Sequence, residues 1–365
     1  MGLLRVFLAL AVVAAHQPPP TGLLRFVGGQ MAVEIFFVIS GFYMQMVMAS
    51  GRYVTARDFY ISRALRIFPA YWLIAGVVLL ASPGWLDRVT QLGLGPSVLL
   101  LLSNAILLLQ DTTLFLSGNG GTLSFTANVF ADPLPLHWYL LVPVAWTLAL
   151  ELYFYMLVPL LAKRSDRFLI TLIAITTIAR IVTYLAGLNS DPWTYRFFPF
   201  EIALFLCGML AQRFHARTDW QSFPREKLSR IGWICLAVFC LSGPFRASRT
   251  AIFLLAMAWT FAIPYIFELT RRSRIDRIIG ELSYPVYLVH VPLLYLVMPH
   301  LKQAFPVLGI IPDYFVLAAL SLATAFAIWW LIDRPIDHLR HRMLVASDHG
   351  ASNLNAPESR RQFES

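Results

Sequence analysis

LLRVFLALAVVAAHQPPP, residues 3–20, can be read in two ways, and the choice decides what the rest of the chain is built around. One positive charge (Arg5), an apolar run from Val6 to Ala15 and small residues at Val13 and Ala15 are the marks of a secretory signal with a cleavage site. Cleavage there would make His16 the first residue of the mature chain. Retention would hold an imidazole near the end of a membrane helix. The stretch alone leaves both readings open.

The surrounding composition fixes the class. Of 365 residues, 58% are hydrophobic and 13% charged, with mean hydropathy +0.66; an ordinary soluble domain carries about 25% charged residues. Apolar runs recur at 3–17, 31–50, 67–82, 96–110, 138–162, 168–186, 198–214, 231–245, 250–268, 278–300 and 313–332. Most approach the ~20 residues needed to cross a bilayer as a helix. The expected fold is all-α, a polytopic transmembrane helix bundle; the short alternating strands of a membrane β-barrel are absent. Residues 1–342 form one membrane domain, and 343–365 read as a polar, disordered tail. No soluble domain and no internal repeat stands out.

The net charge of +9 would suggest nucleic-acid binding in a soluble protein. Here the basic residues sit in short loops between apolar runs, as membrane orientation requires, so membrane lipids and not nucleic acid are the expected surroundings. With the N-terminus cytoplasmic, and 83–137 making no net crossing because 96–110 dips in and returns or pairs with a second weak segment, ten crossings remain. The cytoplasmic side then receives 22 Lys and Arg and the outer side 6, with Arg180 inside a segment. Both termini are expected inside. This orientation holds whether or not 3–16 is cleaved. Cys207, Cys235 and Cys240 fall in apolar runs, at a spacing that fits no metal site, and read as small buried hydrophobes; no metal is expected.

Ionisable groups inside a bilayer are costly and mark function by default. His16, Glu34, Glu151, Arg180, Glu201 and His290 are expected at one depth, in the outer half, like the lining of a cavity. Ion pairs that lock the bundle, such as Arg180 with Glu201 or Glu151, are the structural alternative. Arg5 and His16 are eleven residues apart, so a helix places both on one face, ~16 Å apart along the axis. Arg63 and Arg66, three apart, share a helix face at the cytoplasmic edge, and paired guanidinium groups suit a phosphate-bearing ligand. Topology signalling is the simpler alternative.

These residues, taken together, resemble the acyltransferase-3 family of integral membrane acyltransferases, which includes O-antigen and exopolysaccharide O-acetyltransferases. LLRVFLALAVVAAH matches its Arg, ten residues, then His. GGQMAVEIFFVISGFYM resembles its second-helix signature, with Ser40 in FFVISGF. RALR at 63–66 is similar to its R-x-x-R, and WTLALELYFY at 146–155 to its W-S-L-S-x-E-x-x-F-Y. FEIALFLCGML, LSYPVYLVHVPLL and LIDRPI are similar to later segments, so the matches run in order over nearly the whole chain. Glu34 stands where Asp is usual, and Thr147 and Ala149 where Ser is usual, which puts a role for those hydroxyls in doubt. The family often adds an extracytoplasmic hydrolase-like domain, for which the residues after 342 are too few.

The resemblance implies that residues 3–17 are retained and that His16 is catalytic. It implies acetyl-CoA, or another acyl-CoA, as co-substrate, and a glycan or lipid-linked saccharide as acceptor, at a bacterial inner membrane. The expected roles are then these. His16 acts as base or as acyl carrier, with Glu151 or Glu34 orienting its ring. Arg5, Arg63 and Arg66 hold the CoA phosphates. Arg180, Glu201, His290 and Ser40 serve substrate or oxyanion. The alternative is a polysaccharide-unit or small-molecule transporter using the same buried His, Glu and Arg groups; its usual marks, an inverted repeat and broken helices in equivalent positions, are not found in the sequence.

Overall fold

Helices begin where side chains replace the amide partners that a first turn lacks. The computed structural model describes residues 1–53, 55–241 and 249–340; the polar tail 343–365 and Arg246 lie outside the described residues. The first helices are α1 (Gly2–His16), α2 (Gly29–Ala49) and α3 (Ala56–Leu80). Helix α3 starts eleven residues before the apolar run expected at 67. Thr55 Oγ1 accepts the Asp58 amide at 3.2 Å and the Asp58 carboxylate accepts the Thr55 amide at 3.1 Å, a capping box. Arg63 and Arg66 therefore lie within the helix and not in a loop.

Two short helices follow, α4 (Trp85–Thr90) and α5 (Leu94–Ile106), then a strand pair, β1 (Leu116–Ser117) and β2 (Ser124–Phe125). The backbone turns sharply after α5, with Leu107 and Leu109 at φ 66° and 68°. Around that turn the polar groups reach into neighbouring helices. Tyr71 Oη donates to the Asn104 carbonyl at 2.7 Å, and the Leu109 amide donates to Tyr153 Oη at 2.9 Å. Helix α6 (Trp146–Leu161) comes next. It runs antiparallel to α3, with Tyr60 Oη donating to the Met156 carbonyl at 3.0 Å. Residues 81–142 thus leave and re-enter the bundle at one end, with α5 dipping between.

The remainder is helical: α7 (Asp166–Leu185), α8 (Phe198–Arg217), α9 (Arg225–Leu241), α10 (Arg249–Ala258), α11 (Ile263–Thr270), α12 (Arg274–Glu281), α13 (Ser283–Pro292), α14 (Met298–Ala304) and α15 (Asp313–Ile328), with π turns at Leu293–Val297 and Trp329–Asp333. Among the described residues, six helical stretches are long and apolar enough to cross a membrane, and the pair from 251 to 270, bent by 47°, makes a seventh if it is one span. The chain is a polytopic helical membrane protein. The ten crossings expected also include α1, α8 and α9, which are shorter or more polar than that measure admits. Cys207 is buried and Cys235 half-buried, and both are free; the side chain of Cys240 lies outside those described.

Helix α1 sits in the core, with Leu4, Leu8, Ala9, Ala11 and Val13 fully enclosed. Its first amides are held by Asp276, whose carboxylate accepts from Gly2 at 2.7 Å and Leu3 at 2.8 Å. A carboxylate at a helix N-terminus satisfies orphan donors and complements the dipole. Helices α2 and α8 run parallel along most of their length. A Cβ at Gly41 would overlap the carbonyl oxygen of Phe205, and one at Gly208 that of Val38. The two backbones touch, the close approach that small residues permit between membrane helices.

Gly208→Ala is therefore expected to destabilise the protein by ~1–3 kcal/mol, read as a lowered melting temperature of detergent-solubilised protein. Gly76→Ala, where nothing lies within 4 Å of the new methyl, is the control and should be neutral or slightly stabilising.

Candidate active site

The six groups expected to line one cavity divide into three separate sets. The first joins α1 to α13. His16 is exposed at the end of α1 and His290 is fully buried. Nδ1 of His16 is 3.0 Å from the Val12 carbonyl oxygen and 3.2 Å from Nε2 of His290. Nδ1 of His290 is 2.7 Å from the Tyr287 carbonyl oxygen. The ring centroids are 4.9 Å apart. Helix α13 ends two residues later at Pro292 and passes into a π turn, a local irregularity often found at functional positions.

The second set crosslinks α2, α7 and α8. Arg180 Nη1 donates to Glu201 Oε1 at 2.6 Å, and Nη2 donates to the Thr194 carbonyl and lies 3.9 Å from Glu34 Oε1. The guanidinium also lies over the Phe253 ring, 3.8 Å from its centroid. Gln30 Nε2 donates to Glu34 Oε1 at 2.9 Å. Arg180 is 3% exposed, and both carboxylates are enclosed. The ion-pair alternative raised for Arg180 and Glu201 is the one the geometry shows. Arg180 is paired within this set.

The third set lies between α2 and α6. Glu151 Oε1 accepts from Ser40 Oγ at 2.8 Å and from Tyr155 Oη at 2.5 Å. Neither Glu151 nor Glu34 approaches His16 in these contacts; the side chain against its ring is that of His290. The pairing of His290 with His16 is not visible in the sequence, where 274 residues separate them. Of the two departures in WTLALELYFY, Thr147 keeps a working hydroxyl: its Oγ1 donates to Tyr287 Oη at 2.9 Å.

The other end of the bundle gathers arginines. Arg66 Nη2 is 2.6 Å from Glu281 Oε2, and Arg63 Nη2 donates to Tyr53 Oη at 3.0 Å. Arg5 reaches the same place, its Nη1 against Gly280. Sequence reasoning missed Arg340, whose Nε and Nη2 donate to Ser62 Oγ at 3.2 and 3.1 Å; the LIDRPI segment just before it was the available signal. These arginines are half-buried. Arg5 and His16 stand at opposite ends of one helix, as their spacing requires.

Near His16 the mouth is aromatic. Arg196 forms a two-point ion pair with Asp191, at 2.7 and 3.1 Å, and lies 4.6 Å from the Trp146 ring centroid and 5.0 Å from that of Tyr195. His137 packs on Phe130 at 5.3 Å. Burial, then the nearby Arg196 charge, push the His137 imidazole down to about 4. Its Nδ1 has no partner. From the sequence, Trp146 is placed in the WTLALELYFY motif, and no role is given to Arg196 or His137.

Comparison with known proteins bears on this arrangement. A family model described as an acyltransferase domain, acyltransferase 3, matches residues 1–332. The chain is similar to "Exopolysaccharide production protein ExoZ" of Rhizobium meliloti (strain 1021), 46% identical over 63 residues, which is 17% of this chain and 19% of that protein. No solved structure matches.

Two outcomes follow from the electrostatics. Arg180→Met leaves two enclosed carboxylates without a cation and should cost ~3–5 kcal/mol, seen as a large fall in melting temperature; adding Glu34→Gln and Glu201→Gln should recover much of it. His137 is neutral in the fold at pH values where a free histidine gains a proton. Its contribution is thus present above pH 6.5 and lost as pH falls from there toward 4, on the order of 1 kcal/mol after solvent screening. Melting of His137→Phe should be flatter than wild type across that window.

Proposed function

The chain belongs to the acyltransferase-3 family, and on that premise we propose that it transfers an acetyl group from cytoplasmic acetyl-CoA to a hydroxyl of an extracytoplasmic or lipid-linked glycan. The name of the similar protein favours an exopolysaccharide unit as that glycan. The observation that carries the reading is helix α1. One rigid element presents Arg5 among the arginines at one end and an exposed His16 at the other.

At the arginine end, Arg5, Arg63, Arg66 and Arg340 would receive the phosphates of the donor. Guanidinium groups suit phosphate because their planar fork of N–H donors matches its oxygens. We take this end as cytoplasmic because basic loops favour that side, with both termini there and the chain in a bacterial inner membrane. The pantetheine arm then runs along α1 toward His16. The buried position of α1, and a family match that begins at residue 1, support the retention of residues 3–17 over their removal as a signal.

At the His16 end, the neutral imidazole takes the proton of an acceptor hydroxyl. The oxygen attacks the thioester carbonyl carbon, the C–S bond breaks, and the CoA thiolate leaves and is protonated from the imidazolium. General-base catalysis of this kind contributes ~10²–10⁴-fold. Glu151, held by Ser40 and Tyr155 between the two ends, borders the path of the acyl chain. The cluster of Arg180, Glu34 and Glu201 keeps α2, α7 and α8 in register around it.

Inside-out membrane vesicles given radioactive acetyl-CoA test this. Wild type should move label to a glycan or lipid fraction, and His16→Ala at matched expression should lose at least 100-fold. Arg63→Ala should raise the concentration of acetyl-CoA needed for half-maximal rate and leave the maximal rate nearly unchanged. Equal label transfer by wild type and His16→Ala would overturn the assignment of the base.

A further inference from the structure

The three short contacts around the two histidines admit one arrangement of protons. A carbonyl oxygen only accepts, so a ring nitrogen facing one must carry hydrogen. His290 Nδ1, 2.7 Å from the Tyr287 carbonyl oxygen, is therefore N–H, and in the neutral ring its Nε2 is a bare lone pair. His16 Nδ1, 3.0 Å from the Val12 carbonyl oxygen, is likewise N–H. It then points the same hydrogen toward Nε2 of His290, 3.2 Å away, as a shared donor. The reverse assignment, with His290 Nε2 donating, would set two lone pairs of imidazole against two carbonyl oxygens.

From this geometry we propose that His290 is a positioning residue that holds His16 in the Nδ1–H tautomer, so that Nε2 of His16 is the nitrogen that takes the acceptor's proton. The inference rests on His16 being the base. Among ring nitrogens of the pair, only His16 Nε2 is left with a lone pair free of a protein partner, and it belongs to the exposed histidine. When Nε2 gains the hydroxyl proton, the imidazolium keeps its Nδ1–H directed at Val12 and His290, and neither contact has to be broken. The arrangement does what the carboxylate does in a Ser-His-Asp triad, with a neutral acceptor in its place. A buried carboxylate at this point would have to be desolvated within an apolar bundle, at a cost of several kcal/mol; an imidazole tied to a backbone carbonyl brings no charge. Tyr287 sets the donor end of His290 twice over. Its carbonyl receives Nδ1, and its own hydroxyl is fixed by Val144 and Thr147, at 2.8 and 2.9 Å, so the turn carrying that carbonyl is pinned against α6.

The test uses purified full-length protein in nanodiscs. Nitrogen NMR of ¹⁵N-histidine-labelled protein, assigned by His16→Gln, separates N–H from bare ring nitrogens. Wild type is expected to show His16 protonated at Nδ1 and bare at Nε2. His290→Leu should turn His16 into a mixture of tautomers and lower kcat ~10–100-fold, the usual scale for partners that orient a reactive histidine, with KM for acetyl-CoA unchanged. His290→Gln, whose side-chain oxygen can accept from Nδ1–H, should restore most of kcat. Wild-type His16 protonated at Nε2 overturns the proposal. So does a folded His290→Leu with wild-type kcat, or a His290→Gln no better than His290→Leu. Should His290→Leu fail to fold, the wild-type spectrum and the rate of His290→Gln decide. Full activity in His16→Ala would instead remove the catalytic premise, while the spectrum would still report the tautomer.

Discussion

Helices α2 and α8 lie with their backbones in contact, Gly41 against the Phe205 carbonyl and Gly208 against the Val38 carbonyl. Lipid gives little hydrophobic reason for two apolar helices to associate, so close packing has to supply it. Much else is set by this contact. Because the helices are parallel and in register, Glu34 and Glu201 come to the same level at one end, where Arg180 of α7 joins them. At the other end Arg213 donates to Gln45 at 3.3 Å and to Asp166 at 2.7 Å. The far side of α2 receives α1, with Gly29 against Ala15. One residue beyond Ala15 is His16. The position of His16 thus follows from a chain of small-residue contacts that starts at α2 and α8.

The polar groups inside this bundle answer to a second constraint, the lack of water to satisfy them. Most have protein partners, though buried atoms such as Glu34 Oε2, Glu201 Oε2 and Ser321 Oγ have none. Arg180 contacts a carbonyl, two carboxylates and an aromatic ring, and its Nε has no hydrogen-bond partner. Glu151 accepts two hydroxyls from different helices and ties α2 to α6. His16 differs: it is exposed, and the contacts at its ring use Nδ1 alone. Its Nε2 meets no protein group in these contacts.

The distribution of charge gives the bundle two chemically distinct ends. The arginine end is built on α1, α3 and the segment after α15, and its acidic neighbours Glu281 and Asp337 hold the guanidinium groups in place. The histidine end is built on α1 and α13, with aromatic rings and an Arg196–Asp191 pair at its mouth. Helix α1 is common to both, so their separation is set by helical rise and not by a hinge.

The sequence alone determined the class, because burying backbone in lipid demands long apolar helices whatever their neighbours are. It determined that Arg5 and His16 share a helix face, since that needs only the helical repeat. It also carried the family, through motifs in order from LLRVFLALAVVAAH onward. It erred where sequence distance hides spatial distance. Six ionisable residues at one expected depth read as one cavity, yet they form three sets, because side chains at equal depth on different helices meet only if those helices face each other. His290 beside His16, Arg340 beside Ser62 and the mouth around Arg196 were decided by tertiary packing. Which helix faces α1 depends on where glycines let backbones touch, and that is a property of pairs of helices, not of either one read alone.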